Sequence, residues 1–308
     1  MDTAKTKLPP TDDVEAVVTS FNQGNMIIEA VSSLCAQTTP PSRIIIVDDG
    51  STDCDSVSIL NNIEADPRIS VPISVIRQEN AGVSAARNTG IRHSQAPLVL
   101  ILDGDDRLDP SYIEHVSGLL RKEPLMTAAS SWMKTFGVLE AVIQPSGGDI
   151  TRFLSRNCCP ATHIFRRSAW EQCGGYDESM RSGFEDWDVF LSILEAVPDS
   201  HIGIVEKPLI HYRTAPASSN VKSMSKRLEL MRYIIEKHNN SYHDHLTDAL
   251  LGIEEISVRR LYGWENEIVH AMAAKKDLSR ASSEFIKNPS YGDGGMASAV
   301  RIASAQDT

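Results

Sequence analysis

The chain is expected to fold as an α/β protein on a mostly parallel sheet, with a helical extension at its C-terminal end. Three observations predict this. Strand-like and helix-like periodicities alternate through the first hundred residues. Strands such as Ile44-Ile45-Ile46-Val47 are unbroken apolar runs, the pattern of strands covered on both faces. From about Ser218 onward only helical spacing recurs, as in Met224, Leu228, Met231 and Ile235.

The elements follow in order. Glu15 to Thr19 reads as the first strand. Met26 to Gln37 reads as a helix, with Ile27, Val31 and Leu34 on one face, and Pro40-Pro41 breaks it. Arg43 to Asp48 is a second strand. Asp49 to Asp53 is a turn, and a helix through Ile59 and Ile63 follows. Ile73 to Arg77 is a third strand, Gly82 to His93 a helix, and Leu98 to Asp103 a fourth strand. Alternation of this kind predicts a layered, Rossmann-like first half. No Gly-x-Gly-x-x-Gly or Walker pattern follows any strand, which weighs against dinucleotide and P-loop readings.

Beyond Pro110 the pattern loosens. Tyr112 to Arg121 is helical, Ala161 to Arg166 strand-like and Gly174-Gly175 a turn. Asp186 to Ala196 is a helix burying Trp187, Phe190, Leu191 and Leu194, and a strand runs through Ile202 to Val205. The stretch from Leu125 to Cys173 is otherwise irregular. Residues 1–13 are expected to be flexible, 14–217 to form the catalytic unit (14–109 and 110–217 as its two parts), 218–287 to be helices, and 288–308, rich in Gly, Ser and Ala, to be a loose tail.

Composition narrows the function. A formal net charge of -11 argues against a general nucleic-acid binder. Five cysteines, an odd number without a Cys-x-x-Cys pair, disfavour a disulfide framework or zinc site and fit a reducing cytoplasm. Cys158 and Cys159 read as packing residues. No stretch is long and apolar enough for a membrane span, and Met1 to Asp13 has no apolar signal region. Tyr242-His243-Asp244-His245 reads as a surface helix start rather than a metal site. The basic Lys222 to Arg227 segment reads as a solvated helix face rather than a lipid-binding patch.

The most telling stretch is Leu98-Val99-Leu100-Ile101-Leu102-Asp103-Gly104-Asp105-Asp106. A buried strand ends in three carboxylates within four positions. Their repulsion calls for a cation, and Mg²⁺ or Mn²⁺ suits oxygen ligands. Acids at a strand's carboxyl end also lie where open α/β sheets place ligands. Taken alone, the segment also reads as a solvated Asp-rich turn.

The chemistry-bearing residues form an ordered series. It runs through Val18-Thr19-Ser20-Phe21-Asn22, Val47-Asp48-Asp49-Gly50-Ser51-Thr52-Asp53 and Asn80 to Gly90. It continues with Leu102 to Asp106, Gly174-Gly175-Tyr176-Asp177, Phe184-Glu185-Asp186-Trp187-Asp188 and His211-Tyr212-Arg213. Over about residues 14 to 214 this series closely resembles the family 2 glycosyltransferases of the GT-A fold. The resemblance implies a nucleotide-sugar donor, a UDP- or dTDP-sugar, together with a divalent metal, a hydroxyl acceptor and inversion at the anomeric carbon.

By the same resemblance Thr19, Ser20, Phe21, Asn22 and Asp49 border the nucleoside. A carboxylate at Asp49 is a suitable acceptor for a pyrimidine N–H. Ser51 and Asp53 read as turn and helix-cap residues. Arg87 and Asn88 border the nucleotide, with Arg87 pairing a phosphate or bracing the acids, or making an ordinary surface ion pair. Asp103 and Gly104 belong to the Asp-x-Asp motif. Asp105, Asp103 or Asp106 would hold the metal, their division of labour left open. Asp186 is the general base, with Glu185 the second choice; acids there also suit a helix N-terminus. His211 is a candidate metal ligand and Arg213 a candidate diphosphate contact. Thr214 to Val221 could serve as a lid.

The implied setting is polysaccharide, lipid-linked glycan or glycoconjugate synthesis in the cytoplasm, with peripheral contact at the inner membrane face. The C-terminal helices are candidates for oligomer contacts. Two alternatives are a transferase acting on protein side chains and a non-catalytic nucleotide-sugar-binding scaffold.

Overall fold

The computed structural model describes residues 13–67, 69–215, 219–262, 268 and 280–306. A nine-stranded sheet organises them in the order β3-β2-β1-β4-β8-β6-β9-β5, with β7 beside β6. Strands β1 (Val14–Ser20), β2 (Arg43–Asp48), β3 (Ile73–Arg77) and β4 (Leu98–Asp103) are parallel. Their side chains alternate between faces. Ala16, Val18, Ile44 and Ile46 enter one core with Ile27 and Val31 of helix α1 (Met26–Cys35). Val17, Ile45 and Val47 enter the other with Ala86 and Ile91 of helix α3 (Val83–His93). Gly90 lets α3 settle onto the sheet, because a Cβ there would fall 2.3 Å from Val17 Cγ1.

The mostly parallel sheet holds only for this first half. Strand β8 (His163–Arg166) runs antiparallel to β4, and β6 (Met126–Gly137) runs antiparallel to β8. β6 then pairs in parallel with β9 (His201–Thr214), beside which β5 (Arg107–Leu108) lies antiparallel. The short β7 (Val142–Ile143) turns back on β6. β6 falls in the stretch that gave no sequence pattern. Between its buried methionines, Met126 and Met133, the buried positions are Thr127, Ala128, Ala129, Ser130 and Ser131, too small and too polar to show apolar alternation.

After β9 the chain forms helices α8 (Ser219–Ser225), α9 (Arg227–Lys237), α10 (Asn239–Asp244) and α11 (Leu246–Tyr262), as the helical spacing predicted. Within α10, Tyr242 turns inward to donate to Leu154 O at 2.7 Å while His243 stays exposed. The loose tail is a correction. Gly295–Gln306 is a helix whose Met296, Ala297, Ala299 and Val300 are buried. Its small residues lowered the apolar signal but let it lie close to its neighbours. Residues 1–12 and 216–218, on which the flexible N-terminus and the middle of the suggested lid fall, lie outside the described residues.

A buried carboxylate ties the helical extension to the sheet domain. Asp188 of α7 (Glu185–Ala196) is fully buried and accepts from Lys237 Nζ at 2.8 Å. Its other oxygen faces His238 Nε2 at 3.0 Å, and His238 Nδ1 faces Glu195 at 2.8 Å. Both ring nitrogens meet carboxylate oxygens, so both donate and the ring is held as the cation. Burial pulls the His238 pKa down, but the bonds to Asp188 and Glu195 outweigh it and raise the value. Lys237 also reaches Asp177 at 2.8 Å.

Asp188→Ala should therefore cost about 3–5 kcal/mol, because it breaks the buried pair with the His238 cation; a urea titration measures this. A group whose pKa is raised by folding adds stability below its unfolded pKa. For His238 that contribution is full below about pH 6.5 and fades as pH rises through the raised native value. Asp188→Ala should flatten that part of the stability–pH profile.

Candidate functional site

The site forms where the carboxyl ends of β1, β2 and β4 meet the start of α7. On the β1–β2 side, Asn22 adopts a left-handed conformation (φ 51°) and its side chain accepts from Thr52 N at 2.8 Å and Asp53 N at 3.2 Å. Asp53 caps α2 (Cys54–Asn62) by accepting from Ser56 N. Ser51 Oγ accepts from Asn22 N at 2.9 Å. Asp49 is buried. Its Oδ1 accepts from Gln78 Nε2 and Ala81 N, and its Oδ2 from Gly82 N at 2.8 Å. It thus fixes the loop that leads into α3. Oδ2, with one partner, retains room for another donor. Ser20 Oγ is buried without a hydrogen-bond partner, and Phe21 is 47% exposed at the strand end.

The three acids after β4 occupy three different environments. Asp103 Oδ1 accepts from Thr19 Oγ1 at 3.1 Å and from Arg87 Nη2 at 2.9 Å. Gly104 threads a space that no side chain could share: a Cβ would fall 2.1 Å from Gln23 Oε1 and 2.8 Å from Thr19 O. Asp105 accepts no hydrogen bond on its carboxylate among the described residues. Burial, then the charge of Asp103, raise its pKa to about 6. Asp106 is buried and accepts from Arg213 N at 2.8 Å. Burial and Asp105 push its pKa well upward. The metal candidates thereby separate: Asp106 fastens β9 and Asp103 is held by Arg87, both lining the cavity, whereas Asp105 lies beside them outside its lining.

Arg87 is not a surface residue; it lies buried at the wall of the site cavity. It is 1% exposed, donates to Asp103 and, through Nη1 at 3.0 Å, to Glu185, and lies 5.3 Å from the centre of the Tyr176 ring. Burial opposes its charge, but Asp103 and Glu185 more than compensate. These contacts match the bracing role among the alternatives. Arg87 also engages Glu185, the second candidate base. The Asn88 assignment is a correction. It is buried and ties α3 to the Gly-Gly-Tyr-Asp turn, donating to Tyr176 O and accepting from Tyr176 N and Trp170 Nε1.

The late motif divides by strand alternation. Tyr212 lines the site cavity, whereas His211 sits among Arg107, Asp109 and Lys134, away from it. His211 as a metal ligand is therefore a correction. Arg213 gives its guanidinium to Glu29 at 2.9 Å and to Asp105 O at 2.9 Å, and stacks on Phe136 opposite Arg107. Those contacts occupy the group that was expected to meet a diphosphate.

Opposite the acids, Phe184 takes a left-handed conformation (φ 67°) and starts α7. Asp186 in the first turn accepts from Asn157 Nδ2 at 2.8 Å and from Trp187 N at 2.9 Å. Burial, then the neighbouring charge of Glu185, raise its pKa to about 7, against the pull of Arg87. Trp187 is core: it is buried and donates to Phe153 O. Between Asp103 and Asp186 lies a cavity of about 180 Å³. Its far wall comes from the C-terminal segments, through Met224, Arg227, Tyr291, Gly292 and Met296.

These wall residues, and Asn157, escaped the sequence reading. Asn157 lies in the unpatterned stretch, and the wall residues lie where only helix packing or looseness was expected. Arg227, assigned to a solvated face, instead leans over the Phe184 ring at 5.6 Å. Among the described residues no group of three or more His, Cys, Asp or Glu is arranged to enclose a metal, and no helix is long and apolar enough to cross a membrane.

Known proteins place this geometry. The model of the Glycosyl transferase family 2 matches residues 15–173. An uncharacterized protein, y4gI, of Sinorhizobium fredii is 26% identical over 262 residues, covering 82% of this chain and 28% of that protein. The chondroitin synthase of Escherichia coli is 29% identical over 196 residues, 61% of this chain and 27% of the synthase. The chain thus spans under a third of either relative. Residues 1–349 of Staphylococcus aureus TarS superpose with a TM-score of 0.56 at 17% identity, covering 82% of this chain and 74% of that structure. The same fragment solved with UDP-GlcNAc also gives 0.56, at 15% identity, covering 75% and 73%. TarS supplies the fold likeness, and the family match spans β1 to the Gly-Gly turn, acid cluster included: the chain belongs to the family 2 glycosyltransferases.

Proposed function

We propose that the protein is an inverting, metal-dependent glycosyltransferase that moves a sugar from a UDP- or dTDP-sugar to a hydroxyl acceptor. One observation carries the reading. Asp186, held by Asn157 and raised to about 7, faces Asp103 across a cavity of about 180 Å³. A base with a pKa near the working pH is effective at proton abstraction. TarS solved with UDP-GlcNAc and with UDP supports a uridine donor.

In this reading the nucleoside lies over the β1 and β2 ends. Phe21 offers it a half-exposed ring, the Ser20–Asn22 segment its backbone groups, and Asp49 Oδ2 a remaining lone pair. The acid cluster suits a divalent cation, Mg²⁺ or Mn²⁺. Asp105 carries an unsatisfied carboxylate crowded by Asp103, and such cations commonly use one or two carboxylates plus substrate phosphates. Asp105 would hold it, with Asp103 alongside. When bound, the cation supplies charge stabilisation for the departing diphosphate.

The chain's own residues do the rest. Arg87 holds Asp103 and Glu185 in place. Asp186 takes the proton of the acceptor hydroxyl as its oxygen bonds to the anomeric carbon. The bond from that carbon to the diphosphate oxygen breaks on the opposite face, and its electron pair leaves with the diphosphate. The product is inverted. Work in the cytoplasm on polysaccharide, lipid-linked glycan or glycoconjugate acceptors, with peripheral membrane contact, completes the proposal. The exposed Leu246, Leu250 and Leu251 of α11 offer an apolar face for oligomer contacts.

A thermal-shift panel of nucleotide sugars with Mn²⁺ should single out the donor, because binding raises stability by mass action. Asp186→Asn should bind that donor normally in calorimetry while turnover falls by about 10²–10⁴-fold; unchanged turnover would remove Asp186 as the base. The wild-type rate should rise with pH through about 7 as Asp186 loses its proton. Asp105→Ala should abolish the gain in donor affinity on adding Mn²⁺. If that gain persists, the cation is held elsewhere.

A further inference from the structure

The C-terminal wall of the cavity holds a cation that the transfer chemistry above does not use. Arg227, the first residue of α9, lines the cavity and is half-buried. Its guanidinium donates to Gly292 O at 3.3 Å and rests on the Phe184 ring. No carboxylate lies within ion-pair distance of it among the described residues. The nearest acid by charge, Asp293, is engaged by Ser290 Oγ and Gly295 N. The other arginine on the cavity, Arg87, is neutralised by Asp103 and Glu185. Met224, Met296 and Tyr291 share the wall of Arg227, and the like charge of Arg260 acts on it from nearby. Burying a guanidinium there is costly unless an anion arrives to pair with it.

Its position fixes which substrate that anion belongs to. Arg227 bonds to Gly292, and Gly292 packs so tightly on Asn157 that a Cβ would fall 2.1 Å from its carbonyl oxygen. Asn157 in turn holds Asp186. Phe184, under the guanidinium, immediately precedes Glu185-Asp186. Arg227 therefore belongs to the side of the base, where an acceptor hydroxyl must sit. The diphosphate belongs to the side of Asp103 and Asp105. Building on the transferase reading, we propose that Arg227 is a specificity residue and that the acceptor carries an anionic group, a phosphate or a carboxylate, close to the hydroxyl that is glycosylated. Arginine suits this task because its planar fork pairs with two oxygens of either anion.

The test uses calorimetry on the full chain with Mn²⁺ and UDP present, so that the diphosphate subsite is filled. The probes are sn-glycerol 3-phosphate and methyl β-glucuronide, with glycerol and methyl β-glucoside as their neutral counterparts. Wild-type protein should bind at least one anionic probe about tenfold or more tightly than its counterpart, the size expected of a charged hydrogen bond. Arg227→Gln should erase that preference, and Arg227→Lys, which keeps the charge but not the fork, should retain part of it. The identity of the preferred probe distinguishes phosphate from carboxylate. Equal binding of charged and neutral probes by the wild type, or an undiminished preference in a folded Arg227→Gln protein, would overturn the inference. Cleavage of the donor, assayed separately by UDP release, reports on the transferase reading itself. Donor cleavage without anion preference sinks only the acceptor proposal.

Discussion

The double ion pair of Arg87 is the constraint on which the rest of the site depends. Its guanidinium lies in the core, reaching Asp103 at the end of β4 and Glu185 at the start of α7. These residues come from opposite halves of the sequence. Without the arginine, two carboxylates would face each other in a poorly solvated space, and the α7 end would be driven away from the β4 end. With it, the distance between the acid cluster and Asp186 is set by one rigid planar group. Breaking such a buried pair from one side leaves an uncompensated charge, so the arrangement tolerates little drift.

Around that brace the remaining acids are sorted by what each is allowed to touch. Asp106 receives a backbone N–H and fastens β9, and Asp103 is fully engaged. Asp105 and Asp186 are left under electrostatic pressure, with raised pKa values, and Asp186 lines the cavity. Perturbed acids of this kind mark functional positions because burial and like charge, which raise the energy of the apo state, are relieved when substrate arrives. The glycine between Asp103 and Asp105 belongs to the same economy. Gly104 lets the turn press against Thr19 O and Gln23, so that the acids leave the strand at the required angle.

Much of the fold was legible because its first half obeys simple periodicities. The strands Ile44 to Val47 and Leu98 to Leu102 are so apolar that burial on both faces was the natural reading, and α1, α3 and α7 show their inward faces plainly. The site was legible as a grouping, since Asp103, Asp106 and Asp186 of the quoted motifs line one cavity. It was misread where the same residue type serves a structural partner. Asn88 and His211 fit a motif by position, yet one holds a turn and the other points off the cavity, and strand or helix phase decides this only once the neighbours are known. β6 was invisible because alanine, serine and threonine carry most of its buried positions. The final helix was missed because glycine, serine and alanine read alike in a loose segment and in a closely packed one.

That final helix bears on how the molecule acquires its cavity. Tyr291 donates to Cys159 O at 3.0 Å, and Gly292 sits on Asn157, so the closing wall joins residues more than a hundred positions apart. Contacts of such separation form late, since the loop they close must first lose its freedom. During synthesis the sheet can assemble on the ribosome with its acids and its arginine brace complete, while the cleft still lies open to water. The cavity becomes enclosed only when the segment carrying Tyr291 and Gly292 docks on Cys159 and Asn157. The acid cluster and its arginine brace thus precede the wall that shuts them in, and closure of the cavity is a separate, later event from assembly of the sheet.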